Sequence, residues 1–346
     1  MTAKQWQTLY PSPLTSRVLP PLTVLLTSWF LANISLQATN KPHSLDIRVQ
    51  ANGFGAASSA DLSALLQSVA FEIWRDCPRT ELSGIDVYHR TDHPQTNFQR
   101  TPSGRIVIGL AAQDAHWAQY SFQFAHEFCH ALANFSDHHT QRSVRYPPPA
   151  NFWLEETLCE TASLFTLRAM SRSWLTAPPF PPWRDYAPWL NAYAQQRLTL
   201  PENQLPPGKS FSVWFREHHP ALRGNSTIRN WNTIIAIQLL PLFESVPRGW
   251  EAVTFLNDSS FQEDESLARH FAEWCSRCPE DLRPFVRKLA TIFGIKLEQP
   301  QVVTRSRERF LPTVSSPDGY SVDGSHICDT KIASIRTRML PCRDKI

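Results

Sequence analysis

His126, Glu127 and His130 form an HExxH pattern, in which the spacing itself carries a chemical argument. On a helix, residues four apart lie one above the other, so both imidazoles can bind a single metal ion. Glu127 sits one step round the helix, where a carboxylate serves as general base for metal-assisted hydrolysis without being a ligand. The metal this chemistry calls for is Zn2+, which takes nitrogen and oxygen donors and keeps one position open. With twelve histidines and sixteen glutamates in 346 residues, the pattern arises by chance in roughly 2% of such chains. Its flanks separate it from that background. Tyr120, Phe122, Phe124, Ala125, Phe128, Ala131, Leu132 and Ala133 predict a largely buried helix, and a buried histidine needs a metal or a fixed hydrogen bond.

A catalytic zinc has three protein ligands, so the chain must supply a donor beyond His126 and His130. Asp137, His138 and His139 follow in a polar loop, and Glu155, Glu156 and Glu160 lie in an apolar stretch further on. Cys129 and Cys159 each stand three residues after a candidate ligand, so their thiols are expected to face each other across two paired helices, as packed small residues or as a disulfide. Cys159 is also conceivable as a soft ligand, but that role leaves Glu156 without a purpose.

The elements that must position these residues are legible in outline. Leu45 to Gln50, Gly84 to His89 and Arg105 to Leu110 read as strands, the last from its β-branched run. A helix from about Ser59 to Asp76, capped by Ser59 or Asp61, carries Leu62, Leu65, Leu66, Val69, Ala70, Ile73 and Trp74 at core spacing. The motif helix spans about His116 to Asn134, a turn covers Tyr146 to Pro149, and a second helix runs from about Trp153 to Met170. Beyond the stiff Pro178 to Trp183 connection, helices are expected near Pro188 to Arg197, Ser226 to Glu244, Glu265 to Cys275 and Glu280 to Ile292.

A small sheet whose last strand feeds an HExxH helix resembles the N-terminal half of the zincin metallopeptidases, an α+β fold. Trp153-Leu154-Glu155-Glu156-Thr157 resembles the WLNEG-type motif of the gluzincin group, with Glu155 where Asn stands and Thr157 where Gly stands. The resemblance implies Glu156 as third zinc ligand. It also implies that Glu160, one turn on, accepts the second ring N–H of a ligand histidine, His126. The metzincin alternative fails, because Ala133 and Ser136 occupy the positions of its Gly and His. In zincins the strand beside the cleft binds extended peptide, which points to Arg105 to Leu110 here. The family also uses a His or Tyr from the second half to stabilise the oxyanion, and Tyr186, Tyr193, His218 and His219 are the candidates. No GxMEN-like segment marks an exopeptidase, so endopeptidase action is the default.

Composition sets the frame: 42% hydrophobic residues and a net charge of +3 describe a globular chain with no basic stripe for nucleic acid. Residues 1–38 resemble a signal peptide, with Lys4 and Arg17 ahead of an apolar run from Leu19 to Ile34. The expected location is therefore secreted or periplasmic, or membrane-anchored if the leader stays uncleaved. No stable span is expected after cleavage. Residues 40–177 form the zincin half, 178–299 a helical half and 300–346 a loosely ordered tail. Seven cysteines suit an exported protein. Cys275 and Cys278 form a lone CxxC, too little for a structural zinc site, and Cys328 and Cys342 flank a loop that a disulfide would close. The expected activity is hydrolysis of a peptide or protein substrate. Its rivals are a catalytically silent zincin-fold binding or structural protein, which has no need of Glu127, and a zinc hydrolase acting on another amide.

Overall fold

Short β-branched runs build the sheet and longer amphipathic segments the helices that cover it, as a computed structural model shows. The structure describes residues 45–50, 52–97, 99–133, 150–257 and 264–298. The fold is α+β, mostly helical with one four-stranded sheet, and the described residues fall in one compact unit. The leader, the loop carrying Asp137, His138 and His139, the turn at Tyr146 to Pro149, Cys328, Cys342 and the tail lie outside the described residues. No described helix is long and apolar enough to cross a membrane.

Strand β1 (Ile47–Val49) is followed by α1 (Ser59–Trp74), then β2 (Ile85–His89), β3 (Gln95–Asn97) and β4 (Ile106–Leu110). Their order in the sheet is β1-β2-β4-β3, with β1, β2 and β4 parallel and β3 antiparallel to β4. Ser58 caps α1, one residue ahead of the expected position, its hydroxyl accepting from the Asp61 N–H at 3.0 Å. Strand β4 is therefore interior, not the strand beside the cleft. Its run of Ile106, Val107 and Ile108 suits burial between neighbours. Arg105, expected within a substrate-binding strand, is instead a buried tie: Nε meets Asp86 and Nη1 meets Asp46, each at 2.6 Å, and Nη2 donates to the Ile85 carbonyl at 2.8 Å.

The chain leaves β4 for α2 (Trp117–Ala133), and Gln123 Oε1 pins the junction by accepting from Ala111 and Ala112 N–H at 2.9 and 3.1 Å. Helix α3 (Phe152–Ser173) lies against α2. Ala125, Cys129, Cys159 and Ala162 are fully buried, and such small side chains let two helices approach closely. Ser163 Oγ donates to the Phe122 carbonyl at 2.8 Å across the pair. Helices α4 (Ala187–Thr199), α5 (Phe211–Gly224), α6 (Arg229–Ser245), α7 (Gly249–Val253), α8 (Leu267–Arg277) and α9 (Arg283–Ile292) complete the unit. Of these, α5 and α7 were not expected from the sequence, since Phe211–Gly224 contains Pro220 and six charged or polar residues and Gly249–Val253 is little more than a single turn. Arg79 joins the two ends of the unit, binding the fully buried Glu251 at 2.6 Å and Asp281 at 3.0 Å.

Candidate metal centre

Helical periodicity brings His126 and His130 to one face of α2, with ring centroids 5.0 Å apart. Both rings face a cleft of about 580 Å³, whose lining also includes Glu127, Glu156, Glu160, Thr96 and Tyr193. Glu156 reaches across from α3: Oε2 lies 3.4 Å from His126 Nε2 and Oε1 lies 3.6 Å from His130 Nε2. A direct charge-assisted hydrogen bond would be shorter, at about 2.7–2.9 Å. Donors that share one tetrahedral zinc, each about 2.0–2.1 Å from the ion, stand about 3.3–3.4 Å apart. The observed separations are those of a loose ion pair and are also compatible with co-ligands of one ion.

Electrostatics agree with a cation at this point. Burial disfavours charge on the His130 imidazole, but Glu156, Glu155 and Glu127 outweigh it and push the ring pKa up to about 10. Burial raises the Glu156 pKa, but His130, His126 and Arg229 more than offset it and hold the carboxyl below its ordinary value. Carboxylates that retain a proton on an imidazole this strongly also attract a divalent ion, and metal binding replaces that proton.

One ligand atom each of His126, His130 and Cys159 lie within 4.8 Å of one another, which makes these three residues a possible donor set among the described residues. Cys159 is fully buried and does not line the cleft, whereas Glu156 does. Burial and the neighbouring Cys129 thiol, in hydrogen-bonding contact with it, raise the Cys159 pKa well above the ordinary thiol value. A site for hydrolysis must open to substrate, which favours the cleft side over the buried thiol. The five described cysteines, Cys77, Cys129, Cys159, Cys275 and Cys278, are all free and buried.

The sequence expectation for the outer partners is corrected in part. Glu155 is neither ligand nor bystander: Oε1 takes a 2.7 Å hydrogen bond from His130 Nδ1, and Oε2 accepts from Asn257 Nδ2 at 2.6 Å. That Nδ1–H bond fixes the ring with Nε2 on the side of Glu156. Glu160 Oε2 is 3.9 Å from His126 Nδ1, too far for a hydrogen bond, while Oε1 accepts from Thr233 at 2.9 Å and from Arg197 at 3.4 Å. Among the oxyanion candidates only Tyr193 lines the cleft. Tyr186 contacts the Ala118 N–H, His218 stacks on Trp214 and His219 packs on Trp153 and Phe215. Burial raises the Tyr193 pKa, so its phenol keeps the proton it would donate.

Thr96 on β3 was missed by the sequence reading, because three polar residues after a proline carry no strand signal. Its hydroxyl lies 2.8 Å from the Glu127 carbonyl and 2.9 Å from Glu127 Oε2, fixing the carboxylate in the cleft. Asn257 was missed as well, being 102 residues from Glu155 with no pattern linking them. Substituting Asn257 by Ala is expected to weaken zinc binding about 10-fold, the low end of the effect of an outer partner. Competition with a chelator measures it, and unchanged affinity would remove Asn257 from the site. No protein-family model, curated protein or solved structure matches the chain.

Proposed function

We propose that this chain is a zinc-dependent peptidase of the zincin type, with His126, His130 and Glu156 as the metal ligands and Glu127 as general base. The observation that carries this reading is the convergence of the two Nε2 atoms and the Glu156 carboxylate at the wall of a cleft, with Glu127 beside them. Zinc, when bound there, polarises a carbonyl and lowers the pKa of water toward neutrality. Glu127 takes the proton of the attacking water and passes it to the leaving amine. Thr96 holds the carboxylate in place for both transfers. Tyr193 donates a hydrogen bond to the developing oxyanion, and Glu155 with Asn257 fixes the His130 tautomer.

The arrangement of the sheet favours a peptide over another amide. Strand β3 is an edge, and Gln95 and Thr96 line the cleft. An extended peptide can pair with its free main-chain groups, the usual mode of strand addition. The reading includes export to a secreted or periplasmic location.

Zinc-loaded protein assayed on a peptide library beside a panel of small amides tests the assignment. Cleavage of peptides is the expected result, and turnover of the small amides alone would refute a peptidase. Thr96→Val should lower kcat/KM about tenfold with zinc content unchanged, the loss of one hydrogen bond to a charged group at ~1.5 kcal/mol. Thr96→Ser should restore most of it. Equal rates in wild type and Thr96→Val would show that Thr96 does not hold the base.

A further inference from the structure

One wall of the cleft is formed by the start of α6 and the turn before it, which contribute Thr227, Arg229 and Asn232. Hydrogen bonds fix this turn independently of any ligand. Asn225 Oδ1 accepts from the Thr227 N–H at 3.1 Å and from its hydroxyl at 3.0 Å, and Asn232 Nδ2 donates to the Ser226 carbonyl at 2.8 Å. Asn232 Oδ1 faces the Thr157 hydroxyl at 3.4 Å, so the wall is tied to α3 one residue from Glu156.

Besides histidines, three carboxylates and two guanidinium groups line the cleft: Glu127, Glu156, Glu160, Arg197 and Arg229. Four of them are engaged. Glu127 is held by Thr96, Glu156 faces the two imidazoles, and Glu160 is held by Thr233 and Arg197. Arg197 in turn lies over the Phe122 ring, 4.7 Å from its centroid. The Arg229 guanidinium is exposed and has no ion pair or side-chain hydrogen bond among the described residues. A guanidinium offers five donors, no acceptor and a fork that fits a carboxylate in bidentate fashion.

We infer that Arg229 is a specificity-determining residue that takes a substrate carboxylate beside the scissile bond, so that the cleft prefers acidic peptides. The carboxylate comes from an acidic side chain or from the peptide's own carboxyl terminus. This inference rests on the zinc-peptidase reading, and its test must separate the two.

The full zinc-loaded chain is titrated with two sets of short peptide hydroxamates, one extending from the metal toward each end of the cleft. Each set carries Glu or Gln at every position in turn, and the set that has a carboxyl terminus is made as free acid and as amide. The expected result is about tenfold tighter binding of the carboxylate form at one position, a contrast that shrinks at high salt. Arg229→Ala should abolish the contrast and Arg229→Glu should turn it toward Lys, with zinc content unchanged in both. A contrast seen only with the free terminus assigns the carboxyl terminus as the source, and one seen only with Glu assigns the side chain. Hydroxamates that bind with no carboxylate preference, or a preference that survives in Arg229→Ala, would overturn the inference and leave the zinc reading standing. If no hydroxamate binds at all, the zinc reading fails and the inference falls with it.

Discussion

Glu127→Gln is expected to lower kcat/KM by about 10³-fold while zinc stays bound at full stoichiometry. The magnitude is that of losing a general base positioned on the reacting proton. Gln is nearly isosteric with Glu and retains an oxygen for Thr96, so the buried side chain keeps its place and only its capacity to take a proton is lost. Glu127 is not one of the three proposed ligands, which is why occupancy should not change. Steady-state kinetics beside metal analysis of the same preparations gives both readouts. Undiminished turnover would eliminate Glu127 as the base. Loss of zinc along with activity would show instead that Glu127 serves the metal.

The second large effect concerns the third ligand, where the structure offers two donors. Glu156→Ala is expected to weaken zinc binding by more than the about 100-fold that marks the loss of an outer partner. Cys159→Ser should leave it within a few-fold of wild type. The contrast follows from exposure and charge. Glu156 is a carboxylate at the cleft wall, whereas Cys159 is a fully buried thiol that does not line the cleft. The reverse pattern, with zinc lost from Cys159→Ser and retained by Glu156→Ala, would place the metal behind the cleft among His126, His130 and Cys159. That outcome would also remove the open position that hydrolysis requires.

The sequence by itself determined what depends on local periodicity. A four-residue spacing puts His126 and His130 on one helical face whatever surrounds them, and the apolar flanks require that face to be largely buried. Helix α3 was legible for the same reason, as were β1, β2 and β4 from their apolar, β-branched residues. Export, the loop donors and the tail concern segments outside the described residues and remain expectations of the sequence alone.

What only the tertiary structure decided are the relations between segments. Glu155 and Glu156 are neighbours of identical chemistry, and no pattern within the helix separates their roles. The approach of α2 to α3 does, sending Glu155 to the inner nitrogen of His130 and Glu156 to the cleft side. Glu160 was placed correctly on the facing helix but lies too far from His126 to bond it, because Thr233 and Arg197 draw its carboxylate the other way. The strand beside the cleft was misread, since the sequence signal for a strand is strongest where burial is greatest. The edge strand that lines the cleft is polar and three residues long. Thr96, Tyr193, Asn257 and Arg229 come from four separate parts of the chain. Their shared location is a property of packing, which carries no sequence period.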